Sequence, residues 1–142
     1  MLGGTIDRID ETPQGIRIID YKTGRHLSLS FKDVAQFYER DGSNRPKEIF
    51  QTLVYSEIFR RSTGAGDLLP TIYKIDDFFH DEFHPEVIFQ GHPLNYRDVE
   101  GDFRLSLEEL LNEMFSVGQV YNQTEDDRKC RMCPYNVICR RT

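Results

Sequence analysis

Apolar and polar residues alternate at the start of the chain. Thr5, Ile6 and Ile9 interleave with Asp7, Arg8 and Asp10, and Ile16, Ile18 and Ile19 lead into Asp20, Tyr21 and Lys22. Both runs are rich in β-branched residues, and residues 11–15 between them (Glu11, Thr12, Pro13, Gln14, Gly15) carry turn chemistry, so the pattern predicts a β-hairpin. Residues 23–25 break the second strand. Residues 30–33 are placed to cap a short helix bearing Val34, Phe37 and Tyr38. Residues 41–46 read as a loop. Phe50, Leu53, Val54 and Ile58 then recur at helical spacing over residues 47–61, and Gly64 and Gly66 end that helix. Strands are expected over 71–75 and 87–89. Ser106 and Glu109 have capping-box spacing, which predicts a second long helix with Leu107, Leu110, Leu111, Met114 and Val117 on its apolar stripe. All three cysteines fall in the tail. The chain has no internal repeat and no low-complexity segment.

A length of 142 residues with 38% hydrophobic and 12% aromatic content is enough for the core of one small domain. No apolar run approaches the roughly 18 residues needed to span a bilayer. The opening has neither the basic start nor the apolar stretch of a secretory signal, so a cytoplasmic location is expected. Strand-like sequence already at Thr5 leaves little room for a leading element, which leads us to expect a fragment of a longer protein. The net charge of −6 argues against tight nucleic-acid binding by this piece alone, because Lys and Arg supply most non-specific affinity for phosphate. Carboxylates gathered around divalent cations would also make a phosphate-binding protein look acidic, so charge does not decide the class.

The hairpin supplies candidate chemistry. If Glu11 lies opposite Ile16 around a four-residue loop, then Ile9 faces Ile18 and Asp7 faces Asp20. Paired carboxylates with Cβ atoms about 4.5 to 5.5 Å apart repel unless neutralised. A divalent cation does this, since Mg²⁺ prefers one or two carboxylates with waters and phosphate. Alternation puts Lys22 on the face of Asp20 and turns Tyr21 away. The ammonium is then placed to orient an attacking water or stabilise charge on a phosphate. Asp10 faces away from Asp7 and reads as structural. The plainer alternative is a hairpin with ordinary surface charges, Lys22 pairing weakly with Asp20.

The residues Gly4, Thr5, Ile6, Asp7, Arg8, Ile9 and Asp10, followed by Ile18, Ile19, Asp20, Tyr21, Lys22, Thr23 and Gly24, resemble the G-x-I-D-R-I/V-D and D-Y-K-S/T-G signatures of RecB/AddB-type nucleases in the PD-(D/E)XK superfamily. The resemblance implies that Asp7, Asp20 and the Tyr21 carbonyl hold metal and that Lys22 is catalytic. Gln51 and Tyr55 match the family's Q-x-x-x-Y helix, whose face looks toward the active site. Cys130, Cys133, Pro134 and Cys139 resemble the C-x-x-C-P tail of the iron-sulfur branch. There, three tail cysteines and one upstream cysteine hold a 4Fe-4S cluster. This chain has only three, and it also lacks the family's upstream helix bearing a His or Glu. The resemblance spans essentially the whole chain and is densest over residues 3–24 and 130–139.

What the resemblance implies is an α/β restriction-endonuclease-like fold with a mixed central sheet flanked by helices and the N-terminal part missing. Residues 1–142 would form one nuclease domain, with 126–142 as its cysteine-bearing tail. The implied activity is Mg²⁺- or Mn²⁺-dependent, exonuclease-type hydrolysis of DNA phosphodiesters in repair or recombination. DNA and a helicase subunit or helicase domain are the implied partners, with no membrane, and the isolated piece is expected to act weakly or not at all. Two rivals remain open: an inactive nuclease-like DNA-binding scaffold, and a zinc-stabilised interaction module in which His80, His84 or His92 completes the cysteine set. Those histidines otherwise read as solvated or core side chains, and the cysteines as three reduced thiols.

Overall fold

The early β-branched runs do form a hairpin. In the computed structural model, which describes residues 3–24, 27–39, 45–79 and 83–140, β1 (Arg8–Thr12) pairs antiparallel with β2 (Gly15–Lys22). Ile9 faces Ile18 and Glu11 faces Ile16, the expected register. The turn is tighter than the four-residue loop predicted, because Thr12 pairs with Gly15 and only Pro13 and Gln14 lie between. Gly15 makes this possible. Its φ of +144° suits glycine, and a Cβ there would lie 2.7 Å from the backbone carbonyl oxygen of Asp67. That carbonyl accepts the Ile16 N–H at 2.9 Å.

β2 is also paired, in parallel, with β4 (Leu68–Lys74), giving a three-stranded mixed sheet in the order β1-β2-β4. The chain between them holds β3 (Ser30–Phe31), a short 3-10 turn (Val34–Phe37) and α1 (Lys47–Thr63). Asp33 caps the 3-10 turn, with Gln36 completing a capping box. β3 pairs with β5 (Ile88–Phe89), which pairs with β6 (His92–Pro93), a second small sheet. The result is a mixed α/β architecture of restriction-endonuclease-like type.

Two helix expectations need correction. On α1 the buried face is Ile49, Thr52, Leu53, Ser56 and Glu57, whereas Phe50, Val54 and Ile58 are only half-buried, so the helix is rotated from the predicted stripe. Small Thr52 and Ser56 sit innermost and turn their hydroxyls onto the helix carbonyls of Glu48 and Thr52, a polar signal that apolar periodicity cannot detect. α2 (Glu100–Phe115) starts six residues before Ser106. A capping box of Asn95 and Asp98 sets the 3-10 turn (Tyr96–Asp98) that leads into the helix. Val117 lies beyond the helix and is fully exposed.

The chain divides into two units, Met1–Leu110 and Leu111–Thr142. The core of the first contains Ile18, Ile19, Ile49, Leu53, Leu68, Ile72, Tyr96 and Phe103, all at or near complete burial. The second contains α3 (Asp127–Cys130), capped by the Asp126 side chain. Among the described residues no helix is long and apolar enough to cross a membrane.

Candidate active site

Burial and strand pleat set the centre of the site. Asp20 sits on β2 between the wholly buried Ile19 and the last two strand residues, with only 3% of its surface exposed. Lys22, two residues on, shares its side of the sheet. Its Nζ lies 2.7 Å from Asp20 Oδ2 and donates at 2.8 Å to Oε1 of Gln51 on α1. Gln51 Nε2 in turn donates to the Tyr55 hydroxyl at 2.8 Å. The strand pair and the helix pair singled out in the sequence therefore meet in one polar chain.

Asp7 stands differently from the expectation. The β1 ladder stops at Arg8, and Asp7 occupies a bend just before it. Its Oδ2 accepts the Tyr21 N–H at 2.9 Å, where a continuing ladder would offer the carbonyl of Ile6. The carboxylate thus takes the place of a backbone acceptor instead of standing directly across from Asp20. The N–H and C=O of one strand residue point to the same edge, so the Tyr21 carbonyl is also aimed toward the Asp7 side. The Tyr21 ring, on the opposite face, packs edge-on against Tyr73 at 5.6 Å. Asp10 is paired with Arg8 at 2.7 Å, which fits its structural reading.

Electrostatics single out Asp20. Burial pushes its carboxyl above the ordinary carboxylate range, Lys22 opposes that shift, and the charges of Asp7 and Glu48 add to it. Asp20 Oδ2 is buried and meets the Lys22 ammonium at 2.7 Å as an ion pair, without a well-aligned hydrogen bond. A buried carboxylate oxygen balanced only by one ammonium still suits a hard divalent cation. Among the described residues, no group of three His, Cys, Asp or Glu side chains is arranged to hold a metal ion. Asp7 and Asp20 with the Tyr21 carbonyl thus form a sparse donor set, which Mg²⁺ accepts when water and substrate phosphate complete its shell.

In the tail unit, Cys130, Cys133 and Cys139 are free and half-buried. Backbone turns order them, with Cys133 N–H on the Cys130 carbonyl at 3.1 Å and Cys139 N–H on the Tyr135 carbonyl at 3.0 Å. They do not form a ready ligand cluster. His84 and His92 are exposed, and His80 lies outside the described residues.

Two residues near the site were not singled out in the sequence. Glu48 lies one helical turn before Gln51, a spacing that could have flagged it. Lys74 pairs in register with Lys22 across the parallel strands. Its signal was the repeated Tyr-Lys dipeptide at the ends of β2 and β4, which means nothing until the two strands are known to be neighbours.

A family model described as the PD-(D/E)XK nuclease superfamily matches residues 1–140, so the chain belongs to that superfamily. Neither a curated protein nor a solved structure gives a match. Superfamily membership identifies a nuclease domain, in a class that typically uses divalent metal.

Proposed function

We propose that this chain carries the catalytic centre of a metal-dependent deoxyribonuclease of the RecB/AddB type, hydrolysing DNA phosphodiesters in repair or recombination. The observation that carries this reading is the buried Asp20 carboxylate, whose Oδ2 makes no well-aligned hydrogen bond and meets the Lys22 ammonium at 2.7 Å. Asp7, Asp20 and the Tyr21 carbonyl would hold Mg²⁺ or Mn²⁺, which lowers the pKa of bound water and polarises a phosphoryl oxygen. Lys22 contributes positive charge at the phosphate and a donor for the attacking water. Gln51 fixes the Lys22 ammonium, and Tyr55 fixes Gln51, so α1 holds the β2 cation at one position.

Residues 1–142 act as one nuclease domain in this reading, and 126–142 form a tail in which Cys130, Cys133 and Cys139 supply three of the four thiolates of an iron-sulfur cluster. A helicase subunit or helicase domain would feed the DNA, and the setting is cytoplasmic. Iron and acid-labile sulfide in purified protein, in place of zinc, would support the cluster.

The test of the chemistry is cleavage of linear DNA with Mg²⁺, in enzyme excess so that weak activity registers, by the chain and by its Asp20→Ala and Lys22→Ala variants. Loss of cleavage in both variants, with folding retained, is expected. Undiminished cleavage by both would refute the assignment.

A further inference from the structure

The strand register carries a second cation to the edge of the site. Lys22 and Lys74 are direct partners in the parallel β2/β4 pair, so their Cα atoms lie about 4.8 Å apart and both side chains stand on one face of the sheet. The neighbouring pair shows the same parity, since Tyr21 and Tyr73 touch on the opposite face. The two ammonium groups have different company. Lys22 is held by buried Asp20 and by Gln51. Lys74 is held by Asp77, one turn along the 3-10 segment that follows β4, at 2.8 Å. That pair is accessible, with 21% of the Lys74 side chain and 37% of the Asp77 side chain exposed.

We propose that Lys74 binds a backbone phosphate of the DNA next to the one cleaved, and that Asp77 is the anion it exchanges for that phosphate. The inference rests on the nuclease reading above and deepens it. A chain of net charge −6 needs cations placed where the substrate backbone passes. Lys22 is committed to the centre itself, so the phosphate beside the scissile one requires another donor. Lys74 stands at the corresponding strand position on the same face. Its partner is a partly solvated carboxylate, and such a pair costs little to open. The contact reads phosphate and carries no base preference. Asp77 also makes DNA binding weaker than it would be with Lys74 unpaired.

The test uses the full chain with Lys22→Met to keep DNA uncut. Binding of a fluorescein-labelled linear DNA is followed by anisotropy in Mg²⁺ over a range of salt. In that background, Lys74→Gln is expected to weaken binding about five- to tenfold and to reduce the slope of log K against log salt by about 0.7 to 0.9. Lys74→Arg should restore both, and Asp77→Asn should tighten binding about threefold. Thermal midpoints matching the parent show that the fold is intact. Unchanged affinity and slope in Lys74→Gln, or weaker binding in Asp77→Asn, overturns the proposal. Absence of any DNA binding by the Lys22→Met chain, together with a wild-type thermal midpoint that Mn²⁺ leaves unmoved, overturns the nuclease reading itself. Wild-type cleavage with an indifferent Lys74 overturns only this inference.

Discussion

Lys22 Nζ donates to Gln51 Oε1 at 2.8 Å, joining a strand residue to a helix residue 29 positions away. With its oxygen on the cation, the Gln51 amide turns its nitrogen to the Tyr55 hydroxyl, also at 2.8 Å. Each group in the series Asp20, Lys22, Gln51 and Tyr55 thereby fixes the next. The ammonium is steered from two sides, by charge from Asp20 and by a neutral acceptor from Gln51.

Removing the neutral acceptor leaves Lys22 with its charge partner but free to rotate about it. Displacing a reacting group by about 1 Å can cost a hundredfold in rate. Gln51→Ala should therefore slow single-turnover cleavage about ten- to a hundredfold, with DNA affinity close to wild type. Lys22→Met gives the floor for comparison. A wild-type rate in Gln51→Ala would mean that Asp20 alone positions the ammonium.

Tyr55 depends on a residue far from it in sequence. A Cβ on Gly4 would lie 2.8 Å from Tyr55 Cε1, too close for the ring to stay where it is. Gly4→Ala should shift the Tyr55 ring, loosen its bond to Gln51 and slow cleavage. A neutral hydrogen bond contributes about 1 kcal/mol, so Tyr55→Phe alone should lower stability by that order. The two sites should couple: Gly4→Ala combined with Tyr55→Ala should be less harmful than the sum of the single changes. Strict additivity in thermal unfolding would show that the contact is not felt.

This dependence also marks what the sequence could and could not reveal. The hairpin register was legible because closing the turn with Glu11 opposite Ile16 fixes every later pair, Ile9 with Ile18 included. Lys22 beside Asp20 followed from pleat alone, and Gln51 above Tyr55 from helical spacing. The meeting of strand and helix was not derivable, since it depends on how α1 rotates, and the buried Thr52 and Ser56 gave no apolar signal. The exact place of Asp7 was hidden for a similar reason: where a ladder ends is decided by a side chain competing with a carbonyl for the Tyr21 N–H. Lys74 needed the β2/β4 pairing, a contact across more than fifty residues of intervening chain.

Burial makes Asp20 costly to ionise, and this gives a stability test independent of catalysis. Its folded pKa is raised, chiefly by desolvation, so its neutral form stabilises the fold at low pH. That contribution is lost as pH rises through the raised value. Asp20→Asn keeps the shape and removes the charge, so near neutral pH it should unfold no earlier than wild type while losing cleavage. Metal should separate the two proteins further. Binding to the folded state alone adds about 2.7 kcal/mol at a concentration of roughly 100 Kd. Mn²⁺ should therefore raise the thermal midpoint of wild type and leave Asp20→Asn unmoved. An equal rise in both would place the metal elsewhere.

Glu57 offers the opposite titration in the same helix. Burial alone would push its carboxyl up, but hydrogen bonds from Arg104, Tyr96 and Arg61 hold it down at about 2. Tyr96 donates to Oε2 at 2.7 Å and Arg104 to Oε1 at 2.8 Å, so the carboxylate ties α1 to the 3-10 turn and to α2. A depressed carboxylate stabilises the fold above its ordinary pKa of 4.5, and that contribution disappears as pH falls toward about 2. Deleting one partner of a dry ion pair costs about 3 to 5 kcal/mol. Here the arginines remain partly solvated, with 36% of the Arg104 side chain exposed, so the loss should be nearer the 1.5 to 3 kcal/mol of a charged hydrogen bond, roughly 2 kcal/mol. Glu57→Gln should therefore lower the urea midpoint at neutral pH, and its deficit against wild type should shrink steadily as the titration is carried below about pH 4.5. A deficit that stayed constant down to about pH 2 would show that Glu57 acts through packing and not through its charge.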